Sequence, residues 1–308
     1  KAAPVVIDTL YAQGNMNGNG LYLETIGSVT LRNIYTSGND YYGTYVDNRG
    51  GTSPVLITTG QFNRNNYDGL LVYSSRAITV TSVLAFENRY NGISLLNHGG
   101  TGNITANSPL SAGFLGANAT GYNGWRFNSI TGGYDLLNSG SAGIVIVTNG
   151  AVTLSNFESY GNSGYGLYLD NGVGTVTVNK NLPAWRNWFA DNAYSGIYIK
   201  TNGNILISDS DSINNGYYGL EIKEGIIQAV TINRGRYNDN GYGGILIIAS
   251  GTITLTDVHA ENNEGSGYQQ GVGAYLDNRN GSGNILIRSA NTNEYFQFSG
   301  NSENGLLV

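Results

Sequence analysis

Asn192-Ala-Tyr-Ser-Gly-Ile-Tyr-Ile199 and Asn215-Gly-Tyr-Tyr-Gly-Leu-Glu-Ile222 are one phrase written twice, 23 residues apart. In each, an Asn stands four positions and a Tyr two positions before a Gly, and the Gly opens an apolar, variable, apolar triplet. That Gly and its triplet recur twelve times, at Gly20, Gly43, Gly69, Gly92, Gly124, Gly143, Gly166, Gly196, Gly219, Gly244, Gly273 and Gly305. The spacing is 23 in four of the eleven intervals and longer in most others. Fixed-period self-similarity of this kind marks a chain built from stacked, equivalent units.

A second apolar triplet follows most of these glycines, as in Val29-Thr-Leu31, Ile78-Thr-Val80, Val176-Thr-Val178 and Ile253-Thr-Leu255. A shorter third mark comes soon after, at Ile34, Phe62, Val83, Phe157, Ile213 and Val258. Period-two alternation puts the outer members of each triplet inside and the middle one outside. The inner positions are nearly all Leu, Ile or Val, which suit a pleated surface, and no helical periodicity competes. Three short strands per repeat, each followed by a turn, predict a triangular coil.

The residues before each Gly say how the coils stack. The leading Asn is present at Asn39, Asn65, Asn88, Asn162, Asn192, Asn215, Asn240 and Asn301, and the Tyr at Tyr41, Tyr67, Tyr90, Tyr122, Tyr194, Tyr217 and Tyr242. Stacked strands bring like residues over like at about 4.8 Å, where Asn ladders and aromatic columns are stabilising. The Gly is expected either to take a positive φ or to allow a close backbone approach. With this phrase running over essentially the whole chain, the sequence resembles the right-handed parallel β-helix repeat. That pectate-lyase-like solenoid family includes pectin-degrading enzymes, alginate epimerases, phage tailspikes and surface adhesins. The resemblance implies one all-β domain over 1–308, a single-stranded right-handed β-solenoid of about 12 coils with three short strands per coil. It does not by itself choose a function.

Composition narrows the functions. The net charge is −6, with only 15 Lys and Arg scattered along 308 residues, so no cationic stripe for nucleic acid is expected. No apolar run approaches the roughly 20 residues that cross a bilayer, so membrane insertion is not expected. Cys is absent, so stability must come from packing rather than cross-links. The Gly/Asn/Thr/Tyr-rich, Lys-poor character points to an extracellular or cell-surface setting.

No catalytic constellation is legible, and no cofactor is expected. The hydrolases this fold resembles carry paired Asp and an Arg-x-Lys, and neither occurs here. The two histidines, His98 and His259, stand about seven coils apart, too far for a shared metal or triad. Asp47, Asp170 and Asp277, each followed by Asn, have oxygens suited to calcium, but they fall on distant coils and read better as Asx-turn formers. The outward Thr of the second strands resembles an ice-binding column, broken at Leu56, Leu206 and Leu286.

Two surfaces are expected to interact. The outward middle positions of the first strands, Tyr22, Tyr45, Leu71, Tyr168, Tyr198, Leu246 and Tyr275, predict a lengthwise apolar and aromatic stripe that would receive a sugar chain or a neighbouring rod. The irregular stretch from Asn179 to Asn192 offers Trp185, Trp188 and Phe189 as loop contacts. The opening residues 5–15 align with 29–39, and joining Val308 to Lys1 would preserve the 23-residue beat. The expectation is therefore an uncapped rod, part of a longer chain or fibre, whose partners are copies of itself, head to tail and laterally, and cell-surface polysaccharide. An enzyme of polysaccharide is the alternative.

Overall fold

The computed structural model describes residues 3–97, 99–107, 118–128, 133–180, 186–223, 227–265, 271–290 and 296–308. Among them every regular element is a strand, and apart from one antiparallel hairpin all strand pairs are parallel.

The Gly-led triplets stack into an 11-stranded parallel sheet, the first face, running from Leu21–Glu24 to Leu306–Leu307. Its register places Leu21, Thr44, Leu70, Ile93, Ile144 and Leu167 successively opposite one another, a single interior row as the repeat demands. The second and third faces join in a 15-stranded sheet. In early coils one strand serves both faces, as in Val29–Ser37 and Val55–Asn63. Later coils split the pair, as in Val152–Ser155 and Phe157–Tyr160.

The corner between those two faces is made by one residue. Thr9, Asn33, Thr59, Ser82, Asn156, Asp209, Arg234 and Asp257 occupy it with φ between 51° and 69°. A single left-handed residue turns an extended chain sharply without a loop, and Asn and Asp tolerate that conformation best among non-glycine residues.

The interior is aliphatic. Leu31, Ile57, Ile78, Leu95 and Ile104 are fully buried, their equivalents in the terminal coils, such as Ile7, Leu23 and Ile287, partly so, and Phe62, Phe157, Phe189 and Tyr237 are the largest side chains inside. Burying each such side chain is worth about 1.5–3 kcal/mol relative to leaving it in water. Ile213, expected inside, points outward, and Ser210 and Ser212 take the inner positions; the Ser212 hydroxyl is satisfied by the Gly219 carbonyl at 2.7 Å.

The second stabilising column is the asparagine ladder. Eleven residues compose it: Asn15, Asn39, Asn65, Asn88, Asn123, Asn162, Asn192, Asn215, Asn240, Asn263 and Asn301. Each Nδ2 donates to the Oδ1 of the next, at 2.8–3.2 Å. The same Oδ1 also accepts a backbone N–H, as from Asn192 to Asn215 at 3.1 Å. The second Nδ2 hydrogen reaches back to a carbonyl, as from Asn215 to Phe189 at 3.1 Å. An interior carboxamide thus uses both donors and both acceptor sites, which is why Asn rather than Asp fills the column. Asn123 and Asn263 escaped the sequence reading because their distances to the next Gly are not four.

The dozen coils expected is an overcount. The Gly124 triplet does not enter the first face: Trp125–Asn128 pairs antiparallel with Gly133–Leu136. Gly124 follows the ladder residue Asn123 directly and is left-handed at φ 83°, so the chain leaves the coil there and returns at Ile144–Thr148, which pairs with Ile93–Leu96.

Candidate functional site

In six coils the turn from the third face to the first has one grammar: a left-handed residue, the ladder Asn, a variable residue, Tyr, another residue, then Gly. Burying the Asn forces the Tyr two positions on to the outside of the corner. Tyr41, Tyr67 and Tyr90 therefore stand in register on three successive coils, each exposed. Their rings lie 5.6 and 5.4 Å apart. The variable position here supplies Asp40, Asn66 and Arg89, which with Asn17 and the three tyrosines line a surface cleft of about 560 Å³. Asp40 is held by the Asn17 backbone N–H at 2.8 Å and the Asn66 amide at 3.4 Å. A second run, Tyr194, Tyr217 and Tyr242, repeats the column at 5.6 and 5.3 Å. There the variable residues are Ala193, Gly216 and Gly241, which bring no polar side chain.

The first face behind this corner carries the residues expected as a stripe. Register places Tyr22, Tyr45 and Leu71 in one row, and Tyr168 beside Tyr198, and Leu246 beside Tyr275. Tyr22 and Tyr45 stack at 4.9 Å, and Tyr168 and Tyr198 at 5.3 Å. The row is covered for much of its length: Leu71, Tyr198, Leu246 and Tyr275 are buried. Tyrosines one residue before the Gly fold over it, as Tyr165 does onto Tyr198 at 5.2 Å, while Tyr218, Leu246, Val272 and Tyr275 make a small cluster of their own. The exposed aromatic surface thus lies at the corner more than on the face.

Two buried carboxylates bear on the row: Glu221, which sequence reasoning missed, stands in it between Tyr198 and Leu246, and Asp68, just before Gly69, reaches the row's Ser94. Asp68 accepts from the Ser94 hydroxyl at 2.6 Å and the Asn91 N–H at 3.0 Å, and burial pushes its carboxyl above the usual range. Glu221 accepts from Ser195 and is ion-paired with Lys223. Burial, reinforced by the Glu221 charge, pushes the Tyr165 hydroxyl up to about 12. The signal for Glu221 was available: it is an acid at a position where the other first-face strands put an aromatic, aliphatic or small residue.

Trp185 lies outside the described residues, as does His98. Trp188 is 37% exposed in the third-face strand Asn187–Ala190. Phe189 is not a loop contact: it is the inward neighbour in that strand, fully buried and stacked with Phe157 at 6.4 Å between ring centres. Alternation along a strand sends adjacent residues to opposite sides. Asp47 and Asp277 each accept the N–H of the arginine two residues on, closing Asx turns, and each is ion-paired with that arginine's guanidinium. Asp170 pairs with Lys200 at 3.3 Å. Among the described residues no group of three or more potential metal-binding side chains comes together.

The family model described as a right handed beta helix region matches residues 185–308. No curated protein matches the chain. Among solved structures, the A-module of the mannuronan C-5 epimerase AlgE4 of Azotobacter vinelandii aligns at 13% identity and a TM-score of 0.48, covering 100% of this chain and 87% of that one. That likeness carries no inference about activity. The sequence phrase, the sheet registers and the family match agree on one architecture: the chain is a right-handed parallel β-helix.

Proposed function

We propose that this β-helix binds a polysaccharide lengthwise along the corner formed by Tyr41, Tyr67 and Tyr90. The observation that supports it is the pairing, on three consecutive coils, of an exposed tyrosine with a polar side chain from Asp40, Asn66 or Arg89. A coil rises about 4.8 Å, close to the length of one sugar ring, so a linear glycan would meet the same two-residue unit at each ring. The electron-rich aromatic face attracts the slightly positive C–H groups of a sugar. The neighbouring amide, carboxylate and guanidinium supply acceptors and donors for hydroxyls. A rod stiffened by the ladder holds the units in phase, which limits the ordering entropy lost on binding.

An extracellular setting belongs to the same proposal and rests on composition. So does end-to-end association into an adhesive fibre, which would extend the tyrosine column from one copy to the next. Binding of the purified chain to a panel of neutral and acidic polysaccharides, by affinity electrophoresis, tests the glycan reading. Retardation by at least one polymer is expected, with Tyr67→Ala weakening it about tenfold, as loss of a central aromatic anchor does. No retardation by any polymer, or an unaffected Tyr67→Ala variant, would contradict the reading.

A further inference from the structure

The third face of the later coils carries a feature the tyrosine corner does not use. Asp209 and Asp211, two residues apart and nearly buried, each hold two cations. Asp211 receives Arg186 at 2.7 Å and the Nε of Arg236 at 3.1 Å. Asp209 receives Arg234 through two bonds of 2.9 Å and Lys180 at 3.5 Å. The carboxylates lie beneath and the cations above: the Asp211 side chain is 1% exposed against 50% for Arg236, and Asp209 5% against 49% for Arg234. The four cations exceed the two acids they hold by two charges, with Glu158 and Glu261 at the borders of the cluster. Trp188 lies one strand away in register with Asp211. Glu158 flanks it on the preceding coil, while His259 and Glu261 flank Arg236 on the following one.

We infer that this face is a second binding site, for a polysaccharide bearing carboxylate or sulfate groups. An isolated surface arginine is mobile, and ordering it costs side-chain entropy. Here the buried aspartates have already fixed the guanidinium planes, so an anionic group meets preorganised forks. Arg236 uses Nε and Nη2 on Asp211, leaving Nη1 without a partner among the described residues, and Arg186 keeps Nε and Nη2. The exposed Trp188 offers an aromatic surface to a sugar ring beside them. A short, mixed cluster bordered by Glu158 and Glu261 suits spaced charges on a glycan better than the dense phosphates of a duplex.

The test is affinity electrophoresis of the full chain in gels containing polygalacturonate, dextran sulfate, neutral dextran or duplex DNA. Retardation by polygalacturonate, dextran sulfate or both is expected, and which of the two identifies the anion. Arg186→Gln and Trp188→Ala should each weaken it about tenfold, the loss expected for one charge-assisted contact. The paired change Asp211→Asn with Arg236→Gln keeps a neutral hydrogen-bonded pair and guards against unfolding; it should weaken binding as much while melting near the wild-type temperature. In a Tyr67→Ala background, which removes the corner's central anchor, Arg186→Gln should still weaken retardation by the anionic polymer, which separates failure of this site from failure of the corner site. Equal binding by wild type and these variants, no binding to either anionic polymer, or duplex DNA bound as tightly, would overturn the inference.

Discussion

A Cβ placed on Gly196 would stand 2.7 Å from Nδ2 of Asn215, the ladder residue of the next coil. The same collision recurs at Gly43 with Asn65, Gly69 with Asn88, Gly219 with Asn240 and Gly273 with Asn301. None of these glycines has a positive φ. The invariant Gly of the repeat is therefore a matter of space: the coil above brings its carboxamide and a backbone carbonyl to where a side chain would be.

Gly196→Ala should destabilise the fold by about 2 kcal/mol, since neither the Asn215 carboxamide nor the Ser212 hydroxyl, which a Cβ would meet even more closely, can retreat without breaking its hydrogen bonds. Chemical denaturation measures it. A loss within error of zero would mean that the coils part more easily than the ladder geometry implies.

Tyr237 is fully buried, and its hydroxyl has no hydrogen-bond partner among the described residues. Burial pushes its ionisation far above the ordinary phenol range. Tyr237→Phe should stabilise the protein by about 1 kcal/mol, because the ring keeps its contacts and an unsatisfied buried hydroxyl disappears. Thermal melting would show the gain; a lower midpoint would reveal a partner for that hydroxyl.

At the single-residue corners, Thr59 is a β-branched residue held at φ 57°. Thr59→Asn should raise stability by about 1 kcal/mol, the scale of the left-handed penalty that Asn reduces. The equivalent Asn33 already has the preferred residue, and Asn33→Thr should cost a similar amount.

Asp68 makes a pH-dependent prediction. Its folded-state carboxyl titrates above the ordinary value because of burial, with the Ser94 and Asn91 hydrogen bonds offsetting part of the effect. A carboxyl raised on folding favours the native state when protonated, and that contribution is lost as pH rises through the folded value. Asp68→Asn should thus melt like wild type in acid below the ordinary aspartate range and above it at neutral pH. The opposite trend, a variant less stable at neutral than at acid pH, would show that the charged form is favoured there.

The fold is readable because strand alternation and coil length repeat together: Leu21, Leu70, Ile93 and Leu167 announce one interior row by their spacing alone. The ladder was readable wherever the turn keeps its length, and hidden at Asn123 and Asn263, where insertions separate Asn from Gly. Gly124 misled for the same reason, since a Gly followed by Trp-Arg-Phe has the composition of a rung but not its place in the turn. The site was less legible. Alternation identifies which residues leave the interior, but not which of them neighbouring tyrosines then cover, so Tyr198, Leu246 and Tyr275 read as exposed. The Arg–Asp pairing of the third face joins residues from different coils, and only the register brings Arg236 over Asp211.

The most direct measurement of the central claim is affinity against glycan length, using oligosaccharides of whichever polymer the chain retains. A glycan lying along Tyr41, Tyr67 and Tyr90 should bind more tightly with each added ring and level off once all three coils are engaged. Affinity already complete with a single sugar, or still climbing far beyond the length of three coils, would contradict the lengthwise tyrosine site.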